Sequence, residues 1–237
     1  MLLISGANSQ IGSFLARAYQ AEGRELICLY HERKQRLEGI QAPLLQADLM
    51  NYHATEAILQ QYLPRITQAI HCSAVRSEDH RALADTEPII FHKVIEQNIY
   101  PAYHILRLLL PAMRAQAFGR IVLFSSDVSQ TGLPMGSAYA AAKAAIANMA
   151  KSSAQENAGM DVLINSIAPG PVETAMEQDF SEEYLEFRRK YFSAHLQRTA
   201  SGKLVTMEEI KLLTDMLISA KLRNLCGEEL VINGGKK

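Results

Sequence analysis

Short apolar runs recur along this chain, and most are followed by a stretch whose apolar residues repeat at helical spacing. Leu2–Ile4, Leu26–Tyr30, Leu44–Ala47, Ala69–Cys72, Ile121–Phe124, Val162–Ile167 and Leu230–Ile232 are too short for buried helices. They also lack the apolar-polar alternation of a half-solvated strand. Strands covered on both faces and joined by helices build a parallel sheet, so the pattern predicts an α/β fold: a single doubly wound parallel sheet with helices on both faces. The 237 residues, 48% hydrophobic and 21% charged, suffice for one large core, and residues 1–237 read as one domain.

The first strand runs into Ser5-Gly6-Ala7-Asn8-Ser9-Gln10-Ile11-Gly12 and then an amphipathic stretch with Phe14, Leu15, Ala18 and Tyr19 facing inward. Strand, glycine turn and helix in that order suit the pyrophosphate of a dinucleotide, as in a Rossmann-type sheet. Gly6 permits the tight turn and Gly12 close helix packing. Asn8, Gln10 and Ile11 bring backbone to the phosphates at the helix N-terminus. A plain strand-to-helix turn is the competing reading. At the end of the second strand, an acid gripping both ribose hydroxyls would favour NAD. Tyr30 and His31 stand there instead, with Arg33 close behind. NADP(H) is therefore favoured over NAD(H), against the opposing charge of Glu32; a solvated charged turn through Lys34 and Arg36 is the alternative for Arg33.

Asp48 follows the third strand, and Asn51 is placed to cap a helix through Leu59 and Leu63 that stops before Pro64. A charged segment from Arg76 to Glu87 crosses the surface. Pro88 opens a long helix through Val94, Asn98, Tyr103 and Leu106 towards Met113, in which Pro101 and Pro111 are positioned to bend it. The strand Ile121–Phe124 ends in Ser125-Ser126 at the crevice side of the sheet. A loop from Asp127 to Ser137 leads to Tyr139 and Lys143. These two residues stand at i and i+4, so a helix projects phenol and ammonium from one face. A nearby cation stabilises the phenolate and so lowers the phenol's pKa, a tenfold gain in acidity corresponding to roughly 1.4 kcal/mol. Ala168-Pro169-Gly170-Pro171 then breaks away from the sixth strand, and the last strand ends in Asn233-Gly234-Gly235.

Taken in this order, the chain resembles the short-chain dehydrogenase/reductase family over essentially its full length. Ser5, Gly6 and Gly12 represent the family's cofactor turn, Tyr139 and Lys143 its active-site motif, Ser126 its strand-end serine and Asn98 its helix asparagine. The resemblance further implies that Pro169, Gly170 and Thr174 meet the nicotinamide and its carboxamide, and that Asp48 lies near the adenine. It implies catalysis by Asn98, Ser126, Tyr139 and Lys143. In that scheme NADPH delivers hydride to a ketone while Tyr139 protonates the developing alkoxide. Ser126 holds the same oxygen. Lys143 tunes Tyr139 and binds the nicotinamide ribose, and Asn98 holds a water that links Lys143 to solvent.

Two departures stand out: Gln10 replaces the middle glycine of the turn, and Cys72-Ser73-Ala74-Val75 replaces Asn-Asn-Ala-Gly after the fourth strand. They motivate a reading from another class, a dinucleotide-binding sensor without turnover, which the intact Ser126, Tyr139 and Lys143 oppose.

The most similar type is the 3-oxoacyl-carrier-protein reductase, so a 3-oxoacyl thioester or related ketone is the expected substrate. An NAD-dependent alcohol or sugar dehydrogenase is the alternative. Against a carrier protein stand Ala117 and Ala158, where such reductases carry basic residues. A segment spanning residues 173–206, with Phe180, Tyr184, Leu185, Phe187, Tyr191 and Phe192, either covers an apolar substrate pocket or packs a Tyr184, Phe187 and Tyr191 stripe on the core. Arg188-Arg189-Lys190 reads either as a contact for a thioester's phosphate or as a solvated face.

The net charge of −1, with basic residues dispersed, offers no field for nucleic acid or anionic lipid. No apolar run approaches the ~20 residues that span a bilayer, and the N-terminus lacks a signal-peptide pattern, so a cytoplasmic protein is expected. Cys28, Cys72 and Cys226 lack metal-ligand spacing and are read as reduced, with no metal site. The family resemblance also implies pairing through the long helices beginning near Asn98 and Tyr139, and hence a homo-oligomer, dimer or tetramer. Ala140, Ala141, Ala144, Ala145 and Ala147 leave little bulk between such helices.

Overall fold

The computed structural model describes residues 1–76, 80–175 and 182–236, apart from the side chains of residues 183, 184 and 187. Seven strands form one parallel sheet: β1 (Leu2–Ser5), β2 (Leu26–Tyr30), β3 (Leu44–Gln46), β4 (Gln68–His71), β5 (Gly119–Phe124), β6 (Val162–Pro169) and β7 (Glu229–Ile232). Their spatial order is β3-β2-β1-β4-β5-β6-β7. Among the described residues seven α-helices connect them: α1 (Gln10–Ala21), α2 (Tyr52–Leu59), α3 (Pro88–Ala115), α4 (Val128–Thr131), α5 (Ser137–Asn157), α6 (Glu182–Arg198) and α7 (Met207–Ile218).

Successive strand side chains point to opposite faces, and each face has its own apolar layer. Leu3, Ile27, Leu29, Ile121, Leu123 and Ile164 pack with Ile105 and Leu109 of α3 and Ile146 and Ala150 of α5. Leu2, Ile4, Cys28, Val122, Phe124 and Ile167 pack on the other face with Leu15 and Tyr19 of α1 and Ile210 and Leu217 of α7. Burial on both sides explains why the strands read as unbroken apolar runs. In α1 the structure buries Leu15 and Tyr19 as expected, but Ala16 rather than Ala18 fills the remaining inward position.

Three boundaries differ from the sequence reading. The α2 helix, capped by Asn51 accepting from the Ala54 amide at 3.0 Å, ends at Leu59, and Pro64 sits in a separate 3-10 turn at Leu63–Arg65. Proline's fixed φ and missing N–H suit the first turn of such an element. The segment after Ser126 is not wholly loop, because α4 forms there and is tied to β7 through Ser129 and Gln130 donating to Glu229. Strand β6 continues through Ala168 and Pro169, which keep register with Val231 and Ile232. Proline is tolerated at the strand's last residue.

At the start of β5, Arg120 is fully buried. It donates to the Gly119, Asp161, Ser219 and Leu222 carbonyls and to the Asp161 carboxylate. A buried guanidinium needs such saturation, since an unmatched charge there would cost several kcal/mol. Its partners anchor the end of the sheet opposite the C-terminal strand ends. Among the described residues, no helix is long and apolar enough to cross a membrane.

Candidate active site

The strand order reverses beside β1, whose two neighbours are β2 and β4. In such sheets a crevice opens at the C-terminal strand ends of that switch point. A cavity of about 510 Å³ lies there. Its wall runs from Ser9, Gln10 and Ile11 past the segment after β4, then Phe124–Asp127, Tyr139 and Lys143, to Pro169–Val172, Thr174 and three residues of α6.

The glycine turn has the shape a pyrophosphate requires. Gly6 takes φ +69°, and a Cβ on it would stand 2.5 Å from the Ser73 amide nitrogen. A Cβ on Gly12 would lie 2.5 Å from the Gly6 carbonyl oxygen, so both positions exclude a side chain. The Ser9 hydroxyl caps α1 by accepting from the Gly12 amide at 3.0 Å. This backbone-lined cradle at a helix N-terminus fits a dinucleotide.

The two departures from the family pattern have concrete outcomes. Gln10 extends across the mouth of the crevice and donates from Nε2 to the Ala175 carbonyl at 2.7 Å. Val75 avoids positive φ, which among non-glycine residues occurs only at His80, Ala117, Met135 and Asp161 of the described chain. Asn98, fully buried in α3, holds this turn. Its Nδ2 donates to the Val75 carbonyl and to Val94 O, each at 2.7 Å, while Oδ1 accepts from the Val75 amide at 3.2 Å. Its amide is thus directed at the turn after β4, and Asn98 does not line the cavity.

Helix α5 begins after Gly136, placing Tyr139 in its first turn and Lys143 one turn further, both facing the cavity. Lys143 is buried, with Nζ donating to the Phe124 carbonyl at 2.7 Å and standing 5.6 Å from the Tyr139 ring centroid. The ammonium is therefore fixed between the end of β5 and the phenol. Ser126 is buried beside them, its Oγ 3.4 Å from Pro169 O and 3.5 Å from Asp127 Oδ1. Burial alone would push the Tyr139 phenol up; the charges of Lys143 and Arg76, with hydrogen bonds from Arg76 and Ser126, outweigh it and hold the pKa below the usual tyrosine value. Burial likewise lowers Lys143, with the Tyr139 phenolate opposing that change. A phenol so placed can protonate an oxyanion held against Ser126.

The residues expected at the adenosine end lie past the C-terminal ends of β2 and β3. His31 and Arg33 are exposed and outside the cavity wall; His31 lies 3.9 Å from Asp48, whose Oδ1 also accepts from the Met50 amide at 2.9 Å. Arg36, read from sequence only as part of a charged turn, lines the cavity instead. Its amide donates to Asn8 Oδ1 at 3.0 Å and its Nη1 to Asn8 O at 3.4 Å, which ties the turn after β2 to the glycine turn.

Three more features escaped the sequence reading. The Arg76 guanidinium carbon stands 5.8 Å from the Tyr139 ring centroid. Asp127, buried next to Ser126, is paired with Lys236 from beyond β7 at 3.0 Å. His195 of α6 is buried against Gly170. Arg76 had a legible signal, being a charged residue just past a central strand end. The partners of Asp127 and His195 lie far away in sequence.

In the expected cover segment, Leu185, Arg188, Phe192 and His195 are the buried ones among the described side chains of α6, and Tyr191 lines the cavity. Phe180 and the Tyr184 and Phe187 side chains lie outside the described residues. Arg189 and Lys190 pair with Glu182 and Glu186, each at 2.8 Å, as a solvated face would. Arg188 instead stacks 4.6 Å from the Phe192 ring and lines the cavity. Among the described residues no cluster of His, Cys, Asp or Glu could hold a metal ion.

Comparison with known proteins bears on this arrangement. A family model described as "Enoyl-(Acyl carrier protein) reductase" matches residues 6–237. An uncharacterized oxidoreductase of Bacillus subtilis, YmfI, is 28% identical over 98% of this chain and 97% of its own length. The 3-oxoacyl-[acyl-carrier-protein] reductase of Thermotoga maritima is 32% identical over 60% of this chain and 55% of its own. Among solved structures, ElxO with NADP bound superposes with a TM-score of 0.86 at 22% identity, covering 98% of this chain and 96% of its own. NAD+-bound xylitol dehydrogenase does so with a TM-score of 0.86 at 21% identity, covering 99% and 97%. At such identities these two structures speak for the fold. The family match over nearly the whole chain speaks for the chemistry, and the chain belongs to the short-chain dehydrogenase/reductase family of NAD(P)-dependent oxidoreductases acting on a carbonyl/alcohol pair.

Proposed function

We propose that this chain reduces a ketone to a secondary alcohol with NADPH, and that 3-oxoacyl thioesters and related carbonyl compounds are the first class to test. The observation that carries the reading is the convergence of Tyr139, Lys143 and Ser126 on one cavity whose other end is a pyrophosphate cradle.

The dinucleotide, when bound, supplies the hydride to the carbonyl carbon. Ser126 Oγ donates to the carbonyl oxygen and keeps it in register. Tyr139 gives its hydroxyl proton to that oxygen as negative charge grows on it, and Lys143 stabilises the phenolate left behind. Lys143 would also hold the nicotinamide ribose, with Pro169, Gly170 and Thr174 lining the same cavity. Asn98 serves by fixing Val75, and through it the wall of the cavity. Arg36 supports NADP(H) over NAD(H): it lines the cavity beyond β2, where a cation attracts a 2′-phosphate. The segment around α6 forms the cover over the substrate. Ala117 and Ala158 precede β5 and β6, at the end of the sheet away from the cavity, and so do not bear on whether a carrier docks there. Two or more copies assemble through the exposed face of α3.

A ketone panel assayed for oxidation of NADPH and of NADH tests this reading. Tyr139→Phe is expected to lower kcat by ~10²–10⁴ with NADPH affinity retained, the range general acid catalysis commonly contributes. Undiminished turnover in that variant would refute the assignment of the acid.

A further inference from the structure

The reaction needs one cation beside Tyr139, and Lys143 provides it. Beside the same phenol stands a second, Arg76, that ketone reduction by itself does not use. Arg76 follows the turn after β4, where both backbone groups of the preceding Val75 are hydrogen-bonded to the buried Asn98 amide. An arginine on a surface segment would ordinarily be free to swing into solvent. Here the residue before it is pinned to a core helix, and its guanidinium is placed 5.8 Å from the Tyr139 ring centroid.

Among the described residues, no carboxylate pairs with it. Among the described residues Asp127 is the one acid lining the cavity, and Lys236 holds it at 3.0 Å. No ion pair forms between Arg76 and any described carboxylate. A guanidinium presents five N–H donors in a planar fork, and a contact with the Tyr139 hydroxyl leaves most of them available. That fork matches a carboxylate in two-point fashion. Tyr191, whose burial pushes its phenol up to about 12 and which therefore stays a neutral hydroxyl, lines the same cavity and senses both Arg76 and Tyr139.

We propose that Arg76 holds an anionic group of the substrate, and that the substrate is an oxo acid whose carboxylate lies one or two carbons from the reacting carbonyl. This rests on the ketone-reduction reading above and names the substrate class within it. The reach follows from position. A carbonyl oxygen within hydrogen-bond distance of Tyr139 lies next to the group that Arg76 also contacts, so the carboxylate of a 2- or 3-oxo acid meets the guanidinium without a spacer. The Tyr191 hydroxyl is the second donor to that group. A neutral ketone, or a thioester that lacks charge near the carbonyl, leaves the Arg76 guanidinium without an anionic partner in the substrate.

The test compares short 2- and 3-oxo acids with their methyl esters, in the full chain and in Arg76→Gln and Arg76→Lys. The wild type is expected to favour an acid over its ester by at least about tenfold in kcat/KM, a preference that Arg76→Gln abolishes and Arg76→Lys partly keeps. An ester reduced as efficiently as its acid, or a preference that survives Arg76→Gln, would overturn the proposal while leaving ketone reduction standing. A second readout needs no turnover: calorimetric binding of the matching 2- or 3-hydroxy acid and its ester in the presence of NADPH, with which neither reacts. Binding of the hydroxy acid, but not the ester, that weakens about tenfold or more in Arg76→Gln supports the proposal even if no ketone tested is turned over. Equal or absent binding of the acid by the wild type counts against it. Arg76 is exposed, so an unchanged circular dichroism spectrum and melting temperature are expected and would separate lost recognition from lost folding.

Discussion

At Tyr139 five influences meet, and their balance sets when the residue can act. Burial favours the neutral phenol, whereas Lys143, Arg76 and two hydrogen bonds favour the phenolate and prevail. Proton donation requires the neutral form. The rate of ketone reduction is therefore expected to fall as pH rises through a pKa below that of an ordinary tyrosine. Removing the ammonium raises the phenol's pKa, so in Lys143→Met the descending limb moves to higher pH while the plateau kcat drops. Profiles of kcat against pH for the two proteins check this, and a limb that stays in place would show that another group sets it. Of this centre, the pair Tyr139 and Lys143 was legible from sequence because an i, i+4 spacing on a helix is a local property. Arg76 was legible only as a charge past a strand end; its distance to Tyr139 depends on how β4 and α5 are brought together. Proximity to a strand end in sequence does not fix which side chain of a turn lines a cavity: past β2 it is Arg36 that does, while Arg33 is exposed.

Strands and helices were more legible than the contacts between them, since burial on two faces writes itself into composition. The exceptions are instructive. Helix α4 carries Val128, Ser129, Gln130 and Thr131, a set without helical hydrophobic spacing, and it is held by β7 rather than by its own propensity. Strand pairing also creates a titrating group that no single element reveals. Ser5 and His71 are register partners on β1 and β4, and Ser5 Oγ lies 2.8 Å from His71 Nδ1. Burial, assisted by Lys143, lowers His71 from 6.5 to about 3. Below pH 6.5 the unfolded chain takes a proton there that the native chain refuses until about 3. The unfolded state thus binds more protons in that window, and stability declines as pH falls across it, by at most roughly 1.4 kcal/mol per pH unit from this group. His71→Asn keeps a partner for Ser5 and removes the titration, so its unfolding free energy should fall less steeply between pH 6 and pH 4 than that of the wild type. Denaturant unfolding across that range measures both slopes, and coincident slopes would contradict the assignment.

For the molecule as a whole, the two apolar layers account for most of the large hydrophobic side chains, but not for one face of α3 and the turn before it. Leu83 is 59% exposed, Ile89 70%, Tyr100 45% and Tyr103 40%. In the assembly proposed above another copy covers these side chains, and small exposed or half-buried residues on neighbouring α5, Ala141, Ala144 and Ala145, allow close approach. Sedimentation is expected to give a dimer or larger for the wild type and a shift towards monomer for Ile89→Asp with Tyr103→Glu; a wild-type monomer at micromolar concentration would exclude this assembly. A surface that is covered only by another copy of the chain ties folding to mass action. The melting temperature then depends on how much protein is in the tube, and an assay run at high dilution interrogates a less stable molecule than the one present at the concentrations used to purify it.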